Sequence, residues 1–135
     1  MRGEVFMGKG KPHLEFEELN MTEGWEEPEG YPNGMQQKIL TSDLDEAKKT
    51  GSRSRFLRLL PGVYSTEPFI HDHWEEVFLF EGDLIVGNDR EGNGGEKFLA
   101  PTYACRPPGV YHGPFKSDGG CIMFELHYYQ KKDSF

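Results

Sequence analysis

The chain alternates between polar and apolar positions in short bursts and lacks sustained helical periods. Cys121 to Tyr129 is the clearest burst: Ile122, Phe124 and Leu126 face one way, and Met123, Glu125 and His127 the other. Period two is the signature of a strand. Arg55 to Leu60 reads as another strand, stopped by the turn pair Pro61-Gly62. Pro68 to His73 reads as the next. Val77-Phe78-Leu79-Phe80 is a continuous apolar run ended by Glu81-Gly82-Asp83, and Leu84-Ile85-Val86 resumes it. Phe98 to Cys105 and Val110 to His112 follow, and Gln36 to Leu40 supplies a first strand. Asn88 to Gly95, rich in Gly and Asn, is an exposed loop. About eight short strands with turn residues between them predict an all-β fold, a closed barrel or jelly roll.

Two segments break the pattern. Ser42-Asp43-Leu44-Asp45 has the chemistry of a helix start, Lys48 and Lys49 suit a last turn, and Gly51 suits a stop. This predicts one short helix of about two turns. Residues 1–30 are rich in Glu and Gly with scattered apolar positions (Val5, Phe6, Leu14, Phe16, Leu19, Trp25), and read as an arm anchored by Phe16 and Leu19. The expected organisation is one domain over residues 1–135, with an N-terminal arm at 1–34 and a barrel at 35–129.

Composition narrows the class. Seventeen Gly and nine Pro supply the turns that short strands need, and 13% aromatic residues can fill a β-type core. The net charge of −8, with no basic run, argues against nucleic acid and against an anionic membrane surface. Neither a membrane-spanning apolar stretch nor a signal-peptide core is visible, so the expected location is cytoplasmic. Cys105 and Cys121 cannot build a disulfide framework and read as buried thiols.

Three of the five histidines lie in two short motifs, His71-Asp72-His73-Trp74-Glu75-Glu76 and Pro107-Pro108-Gly109-Val110-Tyr111-His112. On a strand, His71 and His73 present two imidazoles to one side. A carboxylate and His112, brought in by other strands, would complete a mononuclear metal site. Glu76 is the favoured carboxylate: a two-residue turn at Trp74-Glu75 would set His73 and Glu76 opposite each other. The alternatives are Glu75 and a site without any carboxylate. His13 reads as solvent-exposed, and His127 as a strand histidine with a lesser claim on the pocket. Arg58, Arg106 and Tyr103 are candidate binders of a substrate oxygen. Phe78 and Phe80 read as packing residues.

At this point the chain resembles a family. His71-x-His73 with a following Glu, Gly82, and Pro107-x-Gly109-x-x-His112 are similar to the two motifs of the cupins, RmlC-like metal-binding jelly rolls. The likeness covers residues 55–129. Within that superfamily, Ala100-Pro101-Thr102-Tyr103 with His112-Gly113 resembles acetylacetone-cleaving (β-diketone) dioxygenases. Glu75 to Gly82, with Arg106 to Gly109 and Gly120-Cys121, also resembles the cupin domains of anti-sigma-factor regulators. The chain departs from the usual pattern: one residue separates His73 from Glu75 and two separate it from Glu76, where cupins place three or four. The six residues between Glu75 and Gly82 match most cupins. Lys116 stands where an Asn often follows the second motif's His.

The resemblance implies a double-stranded β-helix and one divalent metal held by His71, His73, Glu76 and His112. Fe(II) is the first expectation, with Zn, Ni or Mn as alternatives. It implies a dioxygenase-type oxidoreductase acting on a small carbonyl or enol substrate, with Arg106 or Tyr103 meeting oxyanion charge. The other expectations are a non-oxidative isomerase, lyase or decarboxylase, and a metal-bound sensor without turnover. The expected partners are a small-molecule substrate and a second copy of the chain, as a homodimer.

Overall fold

A computed structural model of the protein describes residues 11–130. Seven strands follow in order: β1 (Met35–Ser42), β2 (Ser52–Leu59), β3 (Trp74–Val86), β4 (Glu96–Leu99), β5 (Thr102–Arg106), β6 (Phe115–Lys116) and β7 (Cys121–Tyr128). All pairings are antiparallel. The main path runs β1-β2-β7-β3-β4, and β5 and β6 also pair with β3. The first half of β3 lies between β7 and β5, and its second half pairs with β4 and β6. One 13-residue strand therefore belongs to both layers of the jelly roll. The turn predicted at Trp74-Glu75 and the break expected at Glu81-Gly82-Asp83 are both absorbed into it.

The bend in β3 depends on Gly82. Its φ is +88°, and a Cβ there would lie 2.0 Å from the Gly120 carbonyl oxygen. Only glycine fits both the backbone angle and the approach. The register with β7 slips at the same place, between Leu79 and Glu81.

The short helix is not formed; the described residues contain no helix. Residues 43–51 are instead the tip of the β1–β2 hairpin. The Asp45 and Thr50 backbones exchange hydrogen bonds of 2.8 and 3.1 Å, and the Asp43 N–H donates to the Ser52 carbonyl at 2.9 Å. The groups that suggested helix caps serve the turn: Ser42 Oγ accepts from Leu44 N at 3.3 Å, and Asp45 Oδ1 from Lys48 N at 3.0 Å. Side chains of this type cap turns as readily as helices. Pro68 to His73 and Val110 to His112 are extended segments joined by a single bridge, Phe69 to His112, and are not strands. Phe98 to Cys105 is divided at Ala100-Pro101, where Pro101 has no N–H for a ladder.

The core lies between the layers. Met35, Leu57, Leu59, Leu79, Cys121 and Met123 are all at most 5% exposed. The alternation in β7 is as read, but the buried face is that of Cys121, Met123, Glu125 and His127. Phe56, Phe124, Phe78 and Tyr103 form a cross-strand row on the outer face, so Phe78 and Phe80 are half-exposed. Cys105 is exposed on β5; Cys121 alone is buried. In the arm, Phe16 is fully exposed and Leu19 half so, and neither anchors it. Trp25 and Tyr31 make the contacts instead: Arg58 lies 4.2 Å above the Trp25 ring, and Tyr31 packs on Phe69 at 5.1 Å. Val5 and Phe6 lie outside the described residues.

Candidate metal centre

The inner faces of four strands change character along their length. At one end they carry Leu57, Met123 and Leu79; at the other they carry charge. The registers align Arg53 on β2, His127 on β7, Glu75 on β3 and Arg106 on β5 as one row across the sheet. The next row is Arg55, Glu125, Val77 and Ala104. Adjacent strands thus bring three guanidinium groups, two carboxylates and an imidazole together at one end of the barrel.

His71 and His73 lead into β3. Asp72 between them accepts a hydrogen bond from Tyr129 Oη at 2.7 Å and is ion-paired with Lys49 at the hairpin tip. The Gly109 N–H donates to the His71 carbonyl at 2.8 Å, and Phe69 and His112 exchange backbone hydrogen bonds of 2.7 and 2.9 Å. These contacts hold the two motifs side by side.

Side-chain donor atoms of His71, Glu75 and His112 lie within 4.8 Å of one another. Glu75 is 4% exposed. His112 Nε2 stands 3.1 Å from Glu75 Oε1, while its Nδ1 stands 3.3 Å from the Val110 carbonyl oxygen. A neutral imidazole carries one proton and can satisfy only one of these contacts. A cation between Nε2 and Oε1 would satisfy both, with Nδ1–H donating to the carbonyl as metal-bound histidines usually do. Two donors each about 2.1 Å from one ion and at right angles lie about 3.0 Å apart. The residues present therefore fit a divalent metal. His71 is held neutral, its pKa pushed down to about 4 by burial and by the neighbouring histidines. In the metal-free protein burial works against the charge of Glu75, but the contacts with His112 and His127 prevail and hold its pKa far below the usual range.

His73, expected as a ligand, shares this face but lies outside that donor group. Its ring stacks between His71, at 4.7 Å, and His127, at 4.8 Å. Its Nδ1 is 3.0 Å from the Trp74 carbonyl oxygen, which leaves Nε2 with a bare lone pair.

Glu76, the favoured carboxylate, points the other way. Because Trp74 and Glu75 continue the strand without turning, Glu76 falls on the outer face. There it accepts from Tyr103 Oη at 2.6 Å and Tyr128 Oη at 2.7 Å. Those bonds lower its pKa and push that of Tyr128 up to about 12. Tyr103 is exposed, its hydroxyl is taken up by Glu76, and it does not line the cavity at the donor group. Arg58 is on the outside too, donating to Gln36 Oε1 at 2.8 Å. Arg106 lies in the pocket wall, with Nη1 3.4 Å from Glu75 Oε1.

A second set of groups, Glu75, Glu125 and His127, is equally close. Arg53 donates to His127 Nδ1 through Nε at 3.1 Å and Nη2 at 2.8 Å. A guanidinium can only donate, so Nδ1 is an acceptor and the ring proton is on Nε2. That proton faces Glu75 Oε2 at 3.2 Å and Glu125 Oε1 at 3.1 Å. His127 in this tautomer has no lone pair for an ion, so this set is a hydrogen-bonded support. Arg55, 3% exposed, completes it by donating to Glu125 at 2.8 and 2.9 Å and to Gln37 and Tyr31. Burial opposes the charge of Glu125, and Arg55 overcomes it. Sequence reasoning missed Glu125 and Arg55; the signal was alternation, which puts both in phase with buried apolar neighbours.

Fold and site together define a jelly-roll barrel with a candidate metal centre at its polar end. Solved structures agree on the fold. An RmlC-like cupin from Shewanella frigidimarina NCIMB 400 matches with a TM-score of 0.61 at 18% identity, over 90% of this chain and 97% of that one. An acetylacetone dioxygenase from Acinetobacter johnsonii matches at 0.60 and 19%, over 93% and 85%. KdgF from a Halomonas species matches at 0.59 and 17%, over 87% and 96%. No family model matches the sequence, and no curated protein matches it. No helix among the described residues is long and apolar enough to cross a membrane.

Proposed function

We propose that this chain is a metal-dependent cupin and, more specifically, a non-haem Fe(II) dioxygenase of small enolisable carbonyl compounds. The observation that carries the reading is the His71–Glu75–His112 group. Two histidines and one carboxylate on one side of an ion, with the other positions open, are the ligand set of non-haem iron oxygenases. The structural likeness to an acetylacetone dioxygenase supports the substrate class.

Bound there, the ion would supply Lewis acidity and a meeting point for substrate oxygen and dioxygen. The chain's own residues do the rest. His71, Glu75 and His112 hold the ion, and His73 offers a further imidazole beside them. The His127 Nε2–H orients Glu75, and Arg53 fixes the His127 proton. Arg106 donates to the substrate's developing oxyanion. The apolar wall of Leu57, Val77, Leu84 and Met123 keeps bulk water from the reacting centre.

Homodimerisation and a cytoplasmic location belong to the same reading. The outer row of Phe56, Phe124, Phe78 and Tyr103 is an aromatic face of the kind that a second copy would cover. The carboxylate beside it, Glu76, already has two hydroxyl donors, which lowers the cost of covering it. Sedimentation of the wild type and of Phe78→Glu tests this: a dimer is expected, and a wild-type monomer at micromolar concentration would exclude it. Two free thiols suit a reducing compartment.

The test of function is metal analysis and oxygen uptake on protein purified without a His tag, beside His112→Ala. The expected result is one equivalent of metal, lost in the variant, and oxygen uptake by the iron-loaded protein with a 1,3-diketone. Bound metal without oxygen uptake across diketones and hydroxyketones would remove the dioxygenase and favour the non-oxidative or sensing roles. Failure to bind metal after reconstitution would remove the whole reading.

A further inference from the structure

The cavity at the donor group has a volume of about 30 Å³. That is far less than the about 450 and 210 Å³ of the spaces beside it. An ion held there takes up much of this small space, so a substrate's carbon skeleton needs adjoining room. Among the described residues, two clefts share walls with the cavity. One, about 450 Å³, shares Tyr31 and Phe69 with it. Its one charged wall residue is Glu67, already ion-paired with Arg90. The other, about 210 Å³, shares Val77, Leu84 and Arg106 with the cavity and continues past Leu79, Val86 and Ala104 to Phe98.

Charge decides between them. An enolate or carboxylate is attracted by Arg106, whereas the wall of the larger cleft offers no cation among the described residues, and its Glu67 is neutralised by Arg90. The Arg106 side chain is 18% exposed, and among the described residues its one side-chain hydrogen bond is the contact to Glu75 at 3.4 Å. That length is at the weak end for such a bond. A largely buried guanidinium thus stands where the ion-sized cavity meets the apolar cleft, with donors to spare. The strand explains the placement: Thr102, Ala104 and Arg106 alternate inward along β5, so two cleft residues and the cation come from one strand face.

We propose that the 210 Å³ cleft is the binding site for the apolar body of the substrate. The ligand is an amphiphilic carbonyl compound. Its enolate or carboxylate oxygen meets Arg106 at the mouth, and a hydrocarbon or aryl arm lies among Val77, Leu79, Val86 and Ala104. This rests on the metal-centre reading above and narrows its substrate class: acetylacetone, with methyl arms, leaves the cleft unfilled, whereas a phenyl-bearing 1,3-diketone fills it.

The experiment uses the iron-loaded full-length protein without oxygen, titrated calorimetrically with acetylacetone and with 1-phenylbutane-1,3-dione. Wild type is expected to bind the phenyl compound about tenfold or more tightly than acetylacetone, because the arm leaves water for an apolar wall. Ala104→Phe, which plugs the cleft, is expected to remove that preference while keeping metal content and leaving acetylacetone affinity within about threefold. Val86→Trp plugs the cleft from β3 without touching the metal cavity, and serves if Ala104→Phe does not fold. Equal affinity of wild type for both diketones, or a phenyl preference that survives a folded plug, overturns the proposal while the metal reading stands. Binding of neither diketone by iron-loaded protein overturns both the proposal and the diketone reading.

Discussion

At the scale of single residues, two neighbouring glutamates have opposite fates because a strand alternates. Glu75 is inward, among His112, His127 and Arg106; Glu76 is outward, between two tyrosine hydroxyls. Glu75→Gln is expected to weaken metal binding at least about 100-fold, beyond what loss of a ligand's supporting partner costs. Glu76→Gln is expected to leave it within about twofold, since its contacts lie on the other face. Competition with a chelator dye measures both. Arg53 yields a second prediction. With both its N–H groups on His127 Nδ1, the ring is locked in the Nε2–H form. Ring ¹⁵N shifts should report that single tautomer in wild type and an exchanging mixture in Arg53→Ala. The same change should cost about 1.5–3 kcal/mol of stability, the range for hydrogen bonds to a charged group. A single Nε2–H tautomer in the variant would show that Arg53 does not set it.

Among the elements, the long strand β3 and the β1–β2 hairpin show what a sequence makes legible. The histidine motifs, the apolar runs and the stop at Pro61-Gly62 were all readable, since period two and turn residues are local signals. The continuity of β3 was not. Glu81-Gly82-Asp83 has the composition of a turn, and only the approach of Gly120 from β7's side shows that Gly82 bends a strand. Trp74-Glu75 is a case of the same kind: a turn there would bring Glu76 to the site, while plain strand continuation brings Glu75. Ser42, Asp45 and Gly51 satisfy a helix rule and a hairpin rule equally, and the pairing of β1 with β2 decides. Gly82→Ala should therefore be costly. Left-handed φ and a 2.0 Å clash with a backbone carbonyl oxygen cannot both be relieved by side-chain motion. A loss of at least about 2 kcal/mol is expected in urea unfolding, with m unchanged. A loss within about 0.5 kcal/mol, the range of an ordinary surface change, would mean that the strand accommodates a side chain there.

For the whole molecule, the barrel has a dry apolar end and a charged end, and the two stabilise it differently. Met35, Leu59, Leu79 and Cys121 close the first without help from any ion. The second buries the Arg55–Glu125 pair with both side chains 4% exposed, flanked by Glu75 and His127. Such a pair adds little net stability, but breaking it strands a buried charge. Charge count at this end could not be read from the net charge of the chain, because it comes from cross-strand registers that join residues 53, 55, 75, 106, 125 and 127. The metal follows the same division. Since the apolar core is complete without it, chelation should leave the protein folded, unlike a zinc finger, where metal binding supplies the folding energy. Adding metal at 100 times its dissociation constant should raise stability by about 2.7 kcal/mol through mass action alone. Glu125→Gln separates the two contributions. It should destabilise the metal-free protein by about 3 kcal/mol or more, because Arg55 loses its counter-charge, while the increment from metal persists, since His71, Glu75 and His112 remain. Thermal unfolding of both proteins with and without metal measures the four values. Unfolding on chelation alone would mean that the charged end, and not the apolar core, holds the barrel closed.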